Sequence, residues 1–100
     1  MKRSKKTTYS LQEKVWIWPG IAGWHFVTLP KKMYQEIKYA TVKPRVGFVP
    51  IEAILGATTW RTSLFPHTSE GTYLLAVKAQ VRKKESVLAG DVTSISFRII

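Results

Sequence analysis

The chain has 100 residues, of which 45% are hydrophobic and 22% charged, a length and composition that suit one small soluble domain. It contains no cysteine, which excludes disulfide bridges and thiolate metal sites. The 16 lysines and arginines outnumber the 6 acidic residues and give a formal net charge of +10, which favours association with polyanions.

The N-terminal segment is basic, and Met1–Lys6 resembles the charged start of a secretory signal. No apolar run follows it, as a signal would require, and no stretch approaches the roughly 18 apolar residues of a membrane-spanning helix. We therefore expect a disordered basic tail over residues 1–8, one domain over residues 9–100 and a cytoplasmic location. Without the 4 basic residues of the tail, 12 basic and 6 acidic residues leave +6 on the domain.

The N-terminal half predicts two strands followed by a helix. Tyr9 to Trp18 alternates between apolar and other residues as one strand, which Pro19-Gly20 ends. Trp24 to Leu29 is rich in aromatic and β-branched residues and predicts the second strand. Pro30 is typical of the first turn of a helix, and the apolar spacing that follows predicts an amphipathic helix over Lys31 to Tyr39.

The C-terminal half predicts four more strands and a second short helix. The two-residue gap that Gly56 opens is typical of a type II′ hairpin turn, and the polar stretch from Pro66 to Gly71 predicts a loop. The predicted strands are Val46 to Leu55, Thr58 to Phe65, Thr72 to Val77 and Val92 to Ile100, and the helix covers Ala79 to Glu85.

A weak internal repeat relates His25–Met33 to Tyr73–Val81, because in both segments a short apolar strand enters a short basic helix. Two such units are too few for a solenoid. They suit a pseudo-twofold barrel with a helix at each end. The sequence therefore predicts an all-β fold, a small barrel of about six strands with two short helices.

Six motifs follow one another along the chain: Trp18-Pro19-Gly20, Gly23–Pro30, Thr58–Pro66, Tyr73–Leu75, Val77–Lys83 and Gly90-Asp91. Together they resemble the bacterial domain-of-unknown-function family nineteen-oh-five, and the resemblance covers Tyr9 to Ile100. It implies a double-split β-barrel capped by helices, a single-chain relative of the dimeric DNA-binding folds of the AbrB and MazE type. One departure is Ala76, where the family pattern favours proline.

The resemblance also implies a possible class of partner. In some relatives this domain precedes a bacteriocin-protection domain of the YdeI/OmpD-associated type, whereas for this chain we expect the one domain by itself. A structural or protein-interaction role linked to bacteriocin resistance is therefore one functional alternative. The resemblance brings no catalytic residue and no cofactor.

Tryptophan and basic side chains are the candidate ligand-binding residues. The four tryptophans either stack on a flat ligand or pack in the core, and Trp18 and Trp24, which flank the glycine turn, are the pair more favoured to be exposed. Lys78, Arg82 and Lys83, which cluster with Lys84 on or near the second helix, either contact phosphates or form a solvated face. Arg61 lies mid-strand between Thr59 and Ser63 and either pairs with a carboxylate or holds an anion.

Catalytic and metal-binding patterns are weak in this chain. Ser63 with His25 or His67 could form a nucleophile and base, but no Gly-x-Ser-x-Gly motif surrounds the serine. The two histidines and scattered acids form no metal-ligand spacing, so no metal and no cofactor are expected. We therefore expect a non-catalytic binding module for nucleic acid or another polyanion. The alternatives are a protein-interaction domain and a small-molecule binder at the barrel mouth near Arg61.

Overall fold

A curled antiparallel sheet forms most of the structure, a computed structural model that describes residues 8–20, 23–40 and 47–100. Within these ranges the sheet has seven strands, two α-helices pack against it, and a 3-10 turn spans Thr68–Glu70. The strands are β1 (Thr8–Lys14), β2 (Trp16–Ile17), β3 (His25–Thr28), β4 (Val49–Leu55), β5 (Thr58–His67), β6 (Thr72–Ala76) and β7 (Val92–Ile99); the helices are α1 (Lys31–Ala40) and α2 (Ala79–Glu85).

The strand order is β1-β7-β4-β5-β6-β3-β2, so the two edge strands are consecutive pieces of the chain. They meet at Val15, where the first predicted strand divides in order to pair with β7 on one side and β3 on the other. Val15 is fully buried, its N–H donates to the Asp91 carbonyl (2.9 Å), and its carbonyl accepts from the Gly90 N–H (2.7 Å). The bend therefore leaves no backbone group of Val15 unpaired.

The long strand β5 also changes its pairing partner along its length. Its first part pairs with β4, from Thr58 to Leu64, and its end pairs with β6, from Leu64 to His67. Leu64 is fully buried and pairs with both neighbours. The sheet therefore curls at two places where one continuous chain segment passes from one partner to the next.

The two predicted repeat units pair with each other. β3 and β6 run antiparallel with Val27 opposite Leu75, the residues that the sequence repeat also aligns. Two equivalent backbone bonds flank this pair: the Leu29 N–H donates to Tyr73 and the Val77 N–H donates to His25, each at 3.0 Å. The repeat is thus a local twofold arrangement in which each strand continues into a helix.

The main core fills the inner face of the sheet, and both helices contribute to it. Its fully buried side chains include Phe97, Ile51 and Leu64 from the sheet and Ile37 from α1, while α2 adds Val81. Alternate residues of the strands other than β2 point into this core, as their period-2 pattern predicts. Every residue of β6 is buried, so this strand is covered on both faces along its whole length.

The predicted fold class is confirmed: the protein is mostly β, with two short helices. The prediction of a loop from Pro66 onward is wrong for its first two residues, because Pro66 and His67 continue β5 opposite Tyr73 and Thr72. A proline is tolerated there because β4 no longer flanks β5 beyond Leu64. Of the predicted basic tail, Thr8 begins β1 and residues 1–7 lie outside the described residues, as does the predicted strand start at Val46.

The turn between β4 and β5 holds the C-terminal end of α2. Gly56 has a positive φ of 59°, as the first central residue of a type II′ turn requires. The Glu85 carboxylate packs against Gly56 and accepts a hydrogen bond from the Thr58 hydroxyl (2.6 Å). The absence of a side chain at residue 56 therefore makes room for this contact between helix and sheet.

We expect Gly56→Ala to lower the free energy of unfolding by about 1–3 kcal/mol, because the new Cβ would have a strained φ and collide with the Glu85 carboxylate. Gly71→Ala is the matched control: its φ is 65°, but nothing lies within 4 Å of the added Cβ. Urea unfolding of both variants measures the difference. Equal losses would contradict a role for the Glu85 contact.

Two buried phenols predict the behaviour of the fold at alkaline pH. Burial raises the pKa of Tyr9 and Tyr73 above 10.0, with smaller contributions from Glu36 and Tyr34 respectively. The two phenols therefore ionise at a lower pH in the unfolded chain than in the folded protein. The stability that they contribute is fully present below pH 10 and is lost as the pH rises above it. Denaturant unfolding should show a weaker alkaline loss in Tyr73→Phe; an unchanged pH profile would be evidence against this linkage.

Candidate functional site

The outer face of the sheet, turned away from the main core, has a polar half and an aromatic half. In the polar half, on β1, β7 and β4, outward side chains bind one another across the strands. The pairs are Ser10–Ser96 (3.1 Å between hydroxyls), Gln12–Ser94 (3.0 Å) and the ion pair Arg98–Glu52 (2.9 Å). Because these groups already have partners, the polar half is typical of a solvated surface.

The aromatic half lies over β2, β3, β6 and the end of β5. Its floor is a second hydrophobic cluster of Phe26, Leu74 and Ala76, separate from the main core. The floor exists because β6 alternates: Tyr73 and Leu75 enter the main core, whereas Leu74 and Ala76 point outward. We call this half the aromatic face, and it consists of Trp16, Trp18, Trp24, Phe26, Phe48, Phe65, Leu74 and Ala76.

Phe26 is the centre of the aromatic face. Its ring centroid lies 5.7 Å from Trp16, 6.0 Å from Trp18, 5.9 Å from Trp24 and 5.7 Å from Phe65. Each such ring pair contributes about 0.5–1.5 kcal/mol beyond simple burial. Only 4% of Phe26 is exposed, so it is a fixed support beneath the outer rings.

The two tryptophans beside the glycine turn are half-exposed, as predicted from their position: 38% of Trp18 and 46% of Trp24 is accessible. The Trp18 N–H donates to the Trp24 carbonyl (2.8 Å), which holds the two residues opposite each other across the hairpin. The other tryptophans are structural. Trp60 is buried in the main core, and the Trp16 indole N–H donates to the Thr28 hydroxyl (2.9 Å).

An apolar groove of about 410 Å³ opens on the aromatic face between Trp18 and Trp24. Phe65 and Leu74 form its base, and His67 borders it with its ring 5.9 Å from that of Trp18. The buried Nδ1 of His67 has no hydrogen-bond partner among the described residues. The groove thus offers flat apolar walls, whereas the unpaired His67 nitrogen is buried behind them.

A second pocket, of about 230 Å³, adjoins Trp24 on its other side. It lies between the Gly23–His25 backbone and the start of α2, and Lys78 and Arg82 line it. We call it the basic pocket. Trp24 lines both cavities, so the groove and the basic pocket meet at this residue.

The structure brings together four of the six predicted ligand-binding residues: Trp18 and Trp24 line the groove, and Lys78 and Arg82 line the basic pocket. Lys83 does not line the basic pocket but a neighbouring depression, which shares Ala79 and Arg82 with that pocket. Arg61 is also separate. It is exposed on β5 opposite Glu52, four residues and therefore about 13 Å along the strand from Phe65.

The residues considered for catalysis do not form a reactive set. Ser63 and His67 lie four residues apart on one face of β5, about 13 Å along the strand. The His25 ring instead contacts the Gly23 carbonyl (2.6 Å) and Arg82 (3.4 Å). His67 belongs to β5, which corrects its predicted place in a loop.

The described residues meet neither the requirement for a metal site nor that for a membrane-spanning helix. In residues 8–20, 23–40 and 47–100, no group of three histidine, aspartate or glutamate side chains is placed to hold a metal ion. None of the helices in those ranges has the length and apolar character to cross a membrane.

Sequence reasoning missed the phenylalanines of the aromatic face. Phe65 had a usable signal, because strand alternation places it on the face opposite the buried Trp60. Phe26 and Phe48 had none, since an isolated aromatic residue in or beside a short strand is equally typical of core packing. Phe48 stacks on Phe65 with centroids 4.8 Å apart, although it precedes β4 and lies far away in sequence.

A family model described as a domain of unknown function (DUF1905) matches residues 12–97. This match includes the entire aromatic face and the basic pocket. A search of curated proteins found no match to the chain.

We expect Thr28→Val to lower the free energy of unfolding by about 1–2 kcal/mol, because the half-buried Trp16 indole N–H loses its acceptor while valine suits a strand. Denaturant unfolding at neutral pH measures the loss. The control is Trp16→Phe, which has no indole N–H, so Thr28→Val should cost little in that background. The same cost in both backgrounds would show that the hydrogen bond contributes nothing.

Proposed function

The chain belongs to the DUF1905 family, which is described only as a domain of unknown function, and we propose that it is a non-catalytic module that binds single-stranded nucleic acid. One observation carries the proposal: two half-exposed tryptophans border an apolar groove on a strongly basic protein. We also propose that the protein acts in the cytoplasm.

The aromatic face suits base stacking because its rings are already held in position before a ligand binds. Trp18 and Trp24 rest on Phe26, and the hydrogen bond between their backbones fixes the hairpin that carries them. A base that stacks on such a ring gains about 1–3 kcal/mol, with little dependence on its identity. Little side-chain freedom remains to be lost on binding, which further favours affinity.

The charge of the protein supports a polyanionic ligand over a neutral one. The formal net charge is +10, and no acidic residue lines the groove or the basic pocket among the described residues. Lysines and arginines that neutralise phosphates release counterions, so affinity for nucleic acid falls as salt rises.

The same surface favours a single strand over a duplex. In a duplex the base faces are stacked on one another, and proteins read the base edges with arginine, asparagine or glutamine side chains. The groove instead presents rings and aliphatic carbon, which can contact a base only when its face is free. We therefore propose unpaired DNA or RNA as the ligand class.

The test is a titration of the full chain with a short single-stranded oligonucleotide and with the matching duplex, followed by tryptophan fluorescence at several salt concentrations. We expect quenching, roughly micromolar affinity for the single strand at about 50 mM salt, weaker duplex binding and a steep loss of affinity as salt rises. No binding at that salt concentration would overturn the proposal.

Matched variants locate the interaction. Trp18→Ala and Trp24→Ala should each weaken single-strand binding by about five- to 150-fold, the equivalent of one lost stacking contact. Ile17→Ala is the control, because Ile17 is also exposed on this hairpin but alternation points it away from the aromatic face. Similar affinities for Ile17→Ala and Trp24→Ala would exclude the groove as the site.

The groove also supports a second candidate function. An exposed apolar patch is typical of a protein-interaction surface, and Phe48, 61% exposed, extends this one. A protein partner, for example one linked to bacteriocin resistance as the family resemblance implies, is therefore the alternative. Nucleic-acid binding that is lost with Trp24 favours the first function, whereas its absence favours this one. A small-molecule site near Arg61 is less favoured, since Arg61 lies outside the groove.

A further inference from the structure

We infer that the basic pocket is a phosphate subsite, in which Arg82 binds a backbone phosphate next to the base stacked on Trp24 and His25 is the positioning residue. This inference rests on the proposed function and extends it, because it gives the strand a fixed place along the surface. The pocket measures about 230 Å³, several times the roughly 30 Å³ of one water molecule, so a phosphate group can enter it.

Arg82 has hydrogen-bonding capacity to spare. A guanidinium has five N–H donors. The Nε–H donates to the Val77 carbonyl (3.1 Å), and Nη1 donates to His25 Nε2 (3.4 Å). Three donors therefore remain without a recorded partner in the described part of the chain, on a half-buried side chain that lines the pocket.

His25 directs the guanidinium toward the hairpin. The Gly23 carbonyl can only accept, so the contact of 2.6 Å requires the proton of the neutral ring to be on Nδ1. His25 Nε2 then presents a lone pair to Arg82 Nη1. These two contacts connect the segment that carries Trp24 to the helix that carries the positive charge.

The electrostatic surroundings of Arg82 favour an anion. The only ion pair recorded in the described ranges joins Arg98 to Glu52, and no carboxylate lines the basic pocket there. Glu85, on the same helix, accepts from Thr58 near the β4–β5 turn instead. Lys78 lies one turn before Arg82 and lines the same pocket, so two positive charges converge on it.

The experiment compares Arg82→Ala with Lys84→Ala, which removes the same charge from an exposed residue of α2 that does not line the basic pocket. Each variant is titrated with a single-stranded oligonucleotide and with an oligomer of the same sequence whose methylphosphonate backbone is neutral. Arg82→Ala should weaken oligonucleotide binding by about tenfold or more and reduce the slope of log affinity against log salt by about 1. Binding of the neutral oligomer should be unaffected by either variant.

A double-mutant cycle tests the role of His25. His25→Phe keeps an aromatic ring but removes the Nε2 acceptor, so it should weaken oligonucleotide binding and reduce the salt slope in the parent protein. In the Arg82→Ala background the same change should have no further effect on either quantity. A merely structural role would weaken binding equally in both backgrounds and would overturn the positioning role.

The possible failures are distinguishable. If the unmodified protein binds no oligonucleotide, both the proposed function and the subsite are wrong. If it binds and loses affinity with Trp24→Ala, but Arg82→Ala and Lys84→Ala give equal affinities and salt slopes, only the phosphate subsite is wrong.

Discussion

The bend at Val15 allows one strand to serve as both edges of the sheet. Its two backbone groups bond to the loop before β7, so the chain changes partners without exposing an unpaired N–H or carbonyl to the core. The curl that follows surrounds the main core with alternate residues of β1 and β3 to β7. It also brings β2 against β3, which places Trp16 and Trp18 over Phe26.

The aromatic face is a consequence of the central position of β6. A strand with neighbours on both sides and apolar residues on both faces needs a cover on each. The helices and the main core cover one face of β6, whereas only aromatic rings cover the other. Those rings remain partly exposed themselves, and an apolar surface of this kind is typical of a binding site.

The local twofold arrangement of β3 and β6 explains why charge lies beside this surface. Antiparallel pairing places the beginning of β3 next to the end of β6, and the Val77 N–H donates to the His25 carbonyl there. Trp24 precedes β3 and α2 follows β6, so the two meet at this point. An exposed ring and a guanidinium thus become neighbours, although His25 and Arg82 lie 57 positions apart in the sequence.

The sequence by itself determined most of the strands, the helix that follows Pro30 and the turn at Gly56, because alternation, proline and glycine act over a few residues. Only the tertiary structure decided where the first strand divides, that Pro66 and His67 continue β5, and that Arg82 rather than Arg61 joins the tryptophans. These features depend on which strands pair, and pairing joins residues tens of positions apart, such as Val27 and Leu75. The local sequence pattern does not indicate which distant residues pair, so the residues that form the site could be identified only from the fold.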